Sequence, residues 1–435
     1  MSETIVIRGG RILDPASGRY EISDIRIEKG RIEAIGSSLS VSREGIVIDA
    51  TDQIVAPGFV DLHTHLRQPG REDEETIGSG SKVAAKGGFT TICCMPNTTP
   101  TLDEPSMIRS VLACAREEGV IEVLPIGAVT VGRQGKQLAQ LQRMCCEGAV
   151  GFSDDGSWVQ DSLLMRRALE YSRLLNVPVI SHCEDPSLSI GGVAHEGYWS
   201  TVLGLRGIPA EAESIAVTRD ILLARFTGGH LHIAHVSTGQ SIDAIRWARA
   251  QGIHVTAEVT PHHFSLSDEA VADYDTNMKV NPPLRSKQDV TAVKGALRDG
   301  IVDAIATDHA PHALQEKELE FDEAPFGMVG LETALSLTLR ELVFPGILSL
   351  DDAIAALTVK PAGILGLDRG RLVEGGPANL TIVDLNRHWR VTESSLWSYC
   401  KNSPFLGEEL PGVVVWTIHN GNVVFSEPQH LLEKL

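Results

Sequence analysis

The sequence predicts an α/β fold, a (β/α)8 or TIM barrel flanked by a small β-sandwich domain that both termini form. In the middle of the chain, eight short apolar segments alternate with segments long enough for a helical crossover, which is the pattern of a parallel sheet. No G-x-G-x-x-G motif follows the first strand, and this disfavours a doubly wound open sheet. We therefore expect residues 1–56 and 366–435 in the sandwich and residues 57–365 in the barrel.

The individual elements follow from periodicity and turn signals. The first barrel strand leads into the segment 63–65, and the other seven are predicted at 90–95, 122–129, 149–153, 177–181, 230–235, 254–259 and 302–307. Helices are predicted at 77–86, 162–175, 209–226 and 239–251. Terminal strands are predicted at 4–8, 22–28, 31–35, 379–383, 413–418 and 423–425, with turns at sites that include Gly9-Gly10 and Asn420-Gly421.

Composition narrows the class of function. The chain carries 38 lysine and arginine residues against 57 aspartate and glutamate residues, a net charge of −19. This excess of acid disfavours nucleic acid or an anionic membrane as a partner. The seven cysteines are odd in number and include no C-x-x-C motif, so we expect buried free thiols in a reducing compartment. The absence of a basic leader and of a long apolar run predicts a cytoplasmic protein.

The most informative motif is the pair His63 and His65 after the first barrel strand. Residues two apart on a strand point to the same face, so the two imidazoles lie side by side and can chelate one metal ion. Two neutral imidazoles suit Zn²⁺ or a similar borderline metal. A catalytic site of this kind needs further protein ligands and an open coordination position.

Further candidate ligands follow other barrel strands. Because barrel enzymes keep their chemistry at the carboxyl ends of the strands, these side chains should converge on one small volume. They are Asp154 or Asp155 after strand four, His182 after strand five, His235 after strand six and Asp308 after strand eight.

Six protein ligands are too many for one catalytic zinc, which usually takes three and a water. Two metal ions about 3.5–4 Å apart would use them all if the aspartate after strand four bridged them. Such a pair lowers the pKa of a shared water and yields a bridging hydroxide that can attack a carbonyl carbon. Asp308 is then positioned to carry the proton to a departing amide nitrogen as general acid and base.

Five longer motifs are spread over the chain. They are Asp61-x-His63-x-His65-x-Arg67, Met95-Pro96-Asn97-Thr98, Ser181-His182-Cys183-Glu184-Asp185, Ala234-His235-Val236-Ser237 and Thr307-Asp308-His309-Ala310-Pro311-His312. With Pro325-Phe326-Gly327, this set resembles the dihydroorotase family of the amidohydrolase superfamily, and its bacterial class I branch in particular. The resemblance implies reversible cyclisation of N-carbamoyl-L-aspartate to L-dihydroorotate, a step of pyrimidine (UMP) biosynthesis.

The resemblance also implies the cofactor, two zinc ions per chain bridged by Asp155 and a hydroxide. Many superfamily members carry a carboxylated lysine at the bridging position, whereas this chain has no lysine there. The choice of Asp155 over Asp154 rests on the Asp-Asp-Gly pattern of this branch. The ligands implied for one ion are His63, His65, Asp155 and Asp308, and those implied for the other are Asp155, His182 and His235.

Substrate contacts are implied in the same way. Arg67 would bind the substrate carboxylate through a bidentate pair of donors, with Asn97 and His312 as further partners. Without the resemblance, Arg67 could equally be a surface salt-bridge residue, and Asn281 an Asx turn before two prolines. The full implied set is His65, Leu66, Arg67, Asn97, Asn281, His312, Phe326 and Gly327.

The segment between His312 and Gly327 is long and charged, which is typical of a lid that closes over bound substrate.

Two alternatives to the implied reaction remain. One is another cyclic amidase, such as a hydantoinase or allantoinase, and the other is a non-catalytic scaffold for aspartate transcarbamoylase. An active chain could also associate with that enzyme, and we expect a homodimer.

Overall fold

The computed structural model describes residues 4–41 and 45–427. Its strands are β1 (Ile5–Asp14), β2 (Arg19–Glu28), β3 (Arg31–Gly36), β4 (Ile46–Asp49), β5 (Ile54–Pro57), β6 (Phe59–Thr64), β7 (Phe89–Cys94), β8 (Glu122–Pro125), β9 (Val179–Ser181), β10 (Ala194–His195), β11 (Gly207–Ile208), β12 (Leu231–Ile233), β13 (Val255–Val259), β14 (Ala304–Ile305), β15 (Leu380–Arg390), β16 (Glu409–His419) and β17 (Asn422–Ser426).

Helices fill most of the connections. The α-helices are α1 (Ile77–Lys86), α2 (Pro105–Glu118), α3 (Leu141–Cys146), α4 (Ser162–Leu175), α5 (Pro186–Ser189), α6 (Tyr198–Leu203), α7 (Ala210–Thr227), α8 (Gly239–Ala250), α9 (Pro261–Ser265), α10 (Lys287–Arg298), α11 (Leu314–Lys317), α12 (Ala334–Thr338), α13 (Leu350–Leu357) and α14 (Val359–Ile364). Short 3₁₀ helices span Val131–Arg133, Asp268–Val271 and Thr276–Met278, and a π-helical turn spans Leu339–Val343.

The terminal strands come together from both ends of the chain, as the sequence predicts, and they form one hydrogen-bonded sheet. Its hydrogen-bonded order is β17-β16-β15-β5-β1-β2-β3, with β4 beside the first half of β1. Strand β5 pairs in parallel with β1 and antiparallel with β15, so it joins the N-terminal strands to the C-terminal ones. Residues from both halves share one apolar core, which includes Ile12, Ile25, Leu380 and Ile418.

One predicted turn lies inside a strand. The sequence predicts a turn at Gly9-Gly10, but β1 continues through both glycines as far as Asp14. The register with β2 shifts between Ile7 and Gly10, which marks a β-bulge. Gly9 has a φ of 66°, which glycine adopts without steric cost. The turn prediction was wrong because glycines in a strand can mark a bulge.

The barrel closes through two sheets and single bridges. Strands β6, β7 and β8 form one parallel sheet, and β9, β12, β13 and β14 form another. Phe152 joins them, because it pairs in parallel with Gly127 on one side and with Val179 on the other. Thr64 pairs with His309 and closes the gap between strands eight and one. The predicted eight-stranded parallel barrel is therefore confirmed.

Strand four departs most from its predicted form. The sequence predicts a strand over 149–153, but within that range only Phe152 makes β-bridges. Main-chain hydrogen bonds still pair this segment with its neighbours, since the Val150 N–H donates to the Pro125 carbonyl oxygen at 3.1 Å and the Ser153 N–H donates to the Gly127 carbonyl oxygen at 2.9 Å. At the next residue, the Asp154 carboxylate accepts hydrogen bonds from the amide N–H groups of Val129 and Thr130, on the neighbouring strand path, at 2.9 and 3.0 Å. The side-chain bonds of Asp154 therefore begin where this pairing ends.

Helix α4 shows how the sequence sets an element's bounds. The Asp161 carboxylate accepts a hydrogen bond from the amide N–H of Leu163 at 2.7 Å and so caps the N-terminus. Met165, Ala168 and Leu169 form a buried face at helical spacing. Asn176 then adopts the left-handed conformation that ends many helices.

All seven cysteines are free, and Cys93, Cys94, Cys183 and Cys400 are buried as expected, whereas Cys146 is exposed. Within the described ranges, no helix combines the length and apolar character needed to cross a membrane.

Candidate active site

Nearly all the predicted site residues meet at the carboxyl end of the barrel. They surround a cavity of about 210 Å³, and His63 lies fully buried in contact with two of its lining carboxylates. Leu66 is the exception, since its side chain packs into the barrel core. The predicted residues that line the cavity are His65, Arg67, Asn97, Asp155, His182, His235, Asn281, Asp308, His312, Phe326 and Gly327.

One group of ligand atoms comes from strands one and eight. The Nε2 atom of His65 lies 3.0 Å from Oδ1 of Asp308, and Nε2 of His63 lies 3.5 Å from the same oxygen. His63 lies in β6 and His65 directly follows it, and Asp308 follows β14 beside that strand. The three side chains are close enough to hold one metal ion.

A second group centres on Asp155. Its Oδ1 lies 3.2 Å from Nε2 of His63 and 3.8 Å from Nε2 of His235. The Nδ1 atom of His182 is also 3.8 Å from this oxygen and 2.9 Å from Nε2 of His235. Because these nitrogen atoms face a common volume, Asp155 lies between the two groups, as a bridging ligand must.

The two adjacent aspartates have different partners. Asp154 accepts hydrogen bonds from Val129, Thr130 and the Thr130 hydroxyl, and therefore faces away from the histidines. Asp155 accepts one from the Asn97 amide at 3.3 Å, while its Oδ1 is buried and has no hydrogen-bond partner among the described residues.

The charges of the site favour a cation. Burial alone would raise the pKa of Asp155, but the nearby His63 and its neighbours lower it well below its usual range. Burial likewise opposes ionisation of Asp308, yet His63 and His65 lower its pKa. Burial lowers the pKa of His63, and the Asp155 and Asp308 charges more than offset this and raise it well above its usual value. Two carboxylates thus remain ionised in a buried pocket.

The residues present fit a metal ion. Nε2 of His63 and Oδ1 of Asp155 are buried and have no hydrogen-bond partner in the described part of the chain. Buried polar atoms without partners are rare and costly, and metal coordination would satisfy both of these. Imidazole nitrogens and carboxylate oxygens are the ligands that Zn²⁺ and similar ions take in catalytic sites.

Glu258, on strand β13, supports this site and was not predicted from the sequence. One of its oxygens lies 2.9 Å from Nδ1 of His63, and the other lies 3.1 Å from Nε2 of His232. Burial would raise the pKa of Glu258, but the two histidines lower it to about 2. A carboxylate bonded to one ring nitrogen fixes the tautomer and leaves the other nitrogen free for a metal. Its signal in the sequence is an acidic residue inside an apolar strand.

We predict that Glu258→Ala weakens metal binding. The His63 ring would lose the partner of its Nδ1 atom, and such losses typically cost about 10–100-fold in metal affinity. Competition with a chelator, measured on the purified variant and the native protein, checks this. Glu269→Ala removes an exposed glutamate and is the control. Unchanged affinity in Glu258→Ala would contradict the supporting role.

Asn97 also connects ligands to one another. Its side-chain oxygen lies 2.9 Å from Nδ1 of His65, and its NH₂ group donates to Oδ2 of Asp155. Asn97 therefore fixes the position of His65, after strand one, relative to Asp155, after strand four. It lines the cavity as well, so this role is compatible with the predicted substrate contact.

Arg67 and His312 form a basic edge of the cavity. Nε of Arg67 lies 3.1 Å from the Glu74 carboxylate, and its Nη2 lies 3.1 Å from Nε2 of His312. Nδ1 of His312 also lies 3.0 Å from Glu74. Nη1 of Arg67 has no hydrogen-bond partner among the described residues, so it can donate to a ligand. Glu74 is a second residue that sequence reasoning missed.

Three site residues adopt a left-handed backbone conformation. The φ angles are 59° for Arg67, 33° for His235 and 49° for Asp308. Such conformations cost of order 1–3 kcal/mol for non-glycine residues and cluster at functional sites. Here they direct the three side chains into the cavity.

Asn281, Phe326 and Gly327 line the remaining side of the cavity. The Asn281 amide lies 3.4 Å from Nε2 of His182, and its Oδ1 is buried without a hydrogen-bond partner in the described ranges. Gly327 has a φ of 136°, and a Cβ there would lie 2.8 Å from Cβ of Ala310 and 3.0 Å from Nε2 of His312. Glycine at 327 therefore keeps this edge open.

A parallel barrel with paired His and Asp groups at the carboxyl ends of its strands defines an amidohydrolase. The family model described as dihydro-orotase-like matches residues 52–241. Dihydroorotase from Pelotomaculum thermopropionicum is 50% identical over 423 residues, which cover 97% of this chain and 99% of that protein. Dihydroorotase from Geobacter metallireducens is 50% identical over 422 residues, with the same coverage. The chain belongs to the dihydroorotase family, and the resemblance of its motifs is confirmed.

Solved structures share the fold. The L-hydantoinase (dihydropyrimidinase) of Arthrobacter aurescens matches with a TM-score of 0.87 and 25% identity, covering 98% of this chain and 96% of that one. A D-hydantoinase from a Bacillus species matches with a TM-score of 0.84 and 26% identity. Both similarities extend over the barrel and the terminal sheet, so this architecture is common to enzymes named for cyclic amides.

Proposed function

We propose that the chain catalyses the dihydroorotase reaction, the reversible cyclisation of N-carbamoyl-L-aspartate to L-dihydroorotate with release of water. The observation that carries this proposal is 50% identity to proteins named dihydroorotase over 97% of the chain. The reaction would serve pyrimidine biosynthesis. A cavity of about 210 Å³ suits a substrate the size of one small ring, since pockets for drug-sized ligands start at roughly 300 Å³.

The proposed cofactor is a pair of zinc ions. His63, His65 and Asp308 would hold one, and Asp155 would bridge it to the second. His182 and His235 would complete the second site. When bound, the metal pair supplies a water activated for attack on the ring carbonyl carbon. The closeness of the two ligand groups supports this assignment, since Oδ1 of Asp155 lies 3.2 Å from Nε2 of His63 and 3.8 Å from Nε2 of His235.

Proton transfer is assigned to Asp308. In the hydrolytic direction, water adds to the carbonyl carbon, the ring C–N bond breaks and the nitrogen gains a proton. Asp308 takes that proton from the attacking water and delivers it to the nitrogen. The neighbouring histidines lower the pKa of Asp308 and keep its carboxylate ionised, which is the form that a general base requires. In the cyclisation direction, the same carboxylate removes the proton from the attacking ureido nitrogen.

Arg67 is proposed to bind the substrate carboxylate, because it lines the cavity and its Nη1 has no hydrogen-bond partner among the described residues. Asn97 and His312 would assist, and Asn281 with Phe326 and Gly327 would contact the ring. Burial lowers the pKa of Arg67, but the Glu74 charge opposes that change, and a guanidinium remains protonated in proteins. The site therefore offers one fixed positive charge to an anionic substrate.

We predict that Arg67→Met raises the KM for L-dihydroorotate by about tenfold to a hundredfold, the value of a hydrogen bond to a charged group. The kcat should change less, because Asp308 and the metal ligands are retained. Steady-state kinetics of the variant check this. Arg109→Met, which removes a surface arginine paired with Glu147, is the matched control. An unchanged KM in Arg67→Met would argue against the carboxylate contact.

A second candidate function is hydrolysis of another cyclic amide, such as hydantoin or allantoin. The fold similarity to L-hydantoinase favours it. The lower identity of that relative, 25% against 50%, makes hydrolysis of another cyclic amide the weaker candidate.

The scaffold alternative is weaker still, since every predicted metal ligand is present. A homodimer and an association with aspartate transcarbamoylase stay predictions.

The testing experiment is a steady-state assay of purified, zinc-loaded protein with L-dihydroorotate, hydantoin and allantoin in parallel. Metal content per chain is measured on the same sample. We expect turnover of dihydroorotate alone and close to two zinc ions per chain. Turnover of hydantoin or allantoin instead would support the second candidate. No turnover despite bound metal would support the scaffold, and the next step would be complex formation with aspartate transcarbamoylase.

A further inference from the structure

We propose that Lys279 and Lys317 are positioning residues that hold Phe326 and Gly327 over the substrate cavity. The inference rests on the proposed function, because it concerns how that site is completed. Neither lysine lines the cavity. Each acts through the main chain of the segment 318–327, here called the strand-eight loop.

Both lysines are buried, with 2% of Lys279 and 6% of Lys317 exposed to solvent. Among the residues that the structure describes, neither ammonium group forms an ion pair with a carboxylate. Their hydrogen bonds go to main-chain carbonyl groups of the strand-eight loop. Buried lysines are rare, and a buried charge without a paired carboxylate is costly.

Lys279 contacts the loop through its side-chain ammonium group and through its own main-chain carbonyl group. Its Nζ atom donates to the carbonyl oxygens of Phe321 at 2.6 Å and Asp322 at 3.0 Å. Its own carbonyl oxygen accepts a hydrogen bond from the amide N–H of Gly327 at 2.9 Å. The ammonium also lies 4.8 Å from the centre of the Phe326 ring, a cation–π distance.

Lys317 holds the loop between these points. Its Nζ atom donates to the carbonyl oxygen of Pro325 at 2.9 Å, directly before Phe326. The Thr276 hydroxyl donates to the carbonyl oxygen of Lys317 and so fixes the start of the loop. Burial and the Lys279 charge lower the pKa of Lys317 to about 7, although Asp275 opposes the shift. The protein therefore keeps this amine where its charge is unfavourable.

The consequence for the site is direct. Phe326 and Gly327 line the cavity, and the Phe326 carbonyl oxygen lies 2.8 Å from Nε2 of His312. Lys279 is also two residues from Asn281, so one short segment positions residues on both sides of the cavity. Without the two lysine amines, the carbonyl oxygens of Phe321, Asp322 and Pro325 would lose their hydrogen-bond donors, and the loop would open to solvent.

The test uses Lys279→Met and Lys317→Met, which keep most of the side-chain volume but remove the donors. Lys279→Arg restores the charge as the conservative variant. Lys287→Met, at an exposed lysine whose side chain is 76% accessible, is the matched control. Each zinc-loaded protein is assayed with L-dihydroorotate, and amide hydrogen exchange is followed over residues 318–327. Metal content reports whether the barrel site is intact.

We expect Lys279→Met to raise KM about tenfold or more, the value of a charged hydrogen bond, and Lys317→Met to raise it less, because the Lys317 amine is only partly charged near pH 7. The change in kcat should be smaller in both variants. Exchange over 318–327 should accelerate, metal content should not change, and Lys279→Arg should recover part of the KM. If Lys279→Met does not fold, Lys317→Met carries the test.

Unchanged KM or unchanged exchange in the folded variants would overturn the proposal. Equal losses in Lys287→Met would overturn it too, since they would show a general effect of lost charge. If the native protein does not turn over dihydroorotate, the proposed function fails, and the exchange rates alone decide whether the lysines hold the loop.

Discussion

Asp308→Ala is expected to remove nearly all turnover of L-dihydroorotate while leaving most of the metal bound. General acid and base catalysis contributes about 10²–10⁴-fold, and this substitution also deletes a carboxylate 3.0 Å from His65. The other proposed ligands, His63, His65, Asp155, His182 and His235, are retained in this variant. Loss of rate without loss of metal would therefore separate proton transfer from metal binding.

The measurement is kcat and zinc content on one preparation of Asp308→Ala. Asp299→Ala, at a surface aspartate paired with Arg246 and Arg298, is the control. Near-normal turnover in Asp308→Ala would rule out its assigned role. If zinc and activity fall together, Asp308 acts mainly as a ligand, and its part in proton transfer would need separate evidence.

Asp155→Ala and Asp154→Ala are expected to differ sharply although the residues are adjacent. Asp155→Ala removes the carboxylate between the two ligand groups, so we expect loss of metal and of at least about a hundredfold in turnover. Asp154→Ala removes the acceptor for the amides of Val129 and Thr130, at a cost of about 1–3 kcal/mol in unfolding free energy. Metal content should stay close to that of the native protein.

Zinc analysis, kcat and chemical denaturation of both variants check this pair. Each variant is the control for the other, because the substitutions remove the same group from neighbouring positions. Loss of metal in Asp154→Ala with normal metal in Asp155→Ala would reverse the assignment of the bridge. Equal effects would indicate that the turn as a whole, and not one carboxylate, determines the site.

The local sequence predicted the site best where a motif and a strand end coincide. His63 and His65 on one strand, and Asp308 after another, required only the period of a strand and the topology of a barrel. The interval 149–153 shows the limit of this reasoning. Its residues read as a strand, and its main chain does bond to both neighbours, but at the next residue the Asp154 side chain accepts the amides of Val129 and Thr130. Side-chain bonding of this kind has no local signature.

Residues that act through others were harder to find. Glu258 lies in a strand and contacts a histidine 195 positions away. Glu74 contacts Arg67, seven residues away, and His312, which is 238 residues away. The composition of the chain also gives no indication of which loop carbonyl groups Lys279 and Lys317 bind. Only packing brings such residues together, and their partners are backbone atoms or distant side chains.

By itself, the sequence determined the barrel, the sheet of the two termini, the family and the identity of the metal-type side chains. Periodicity and strand order predict the barrel and the convergence of the strand ends, because a parallel barrel brings all its carboxyl ends to one face, whereas the motifs identify the family. The tertiary structure decided which aspartate faces the histidines, which carboxylate orients His63 and how the strand-eight loop is held. These depend on distances between atoms far apart in the chain, which no local pattern specifies.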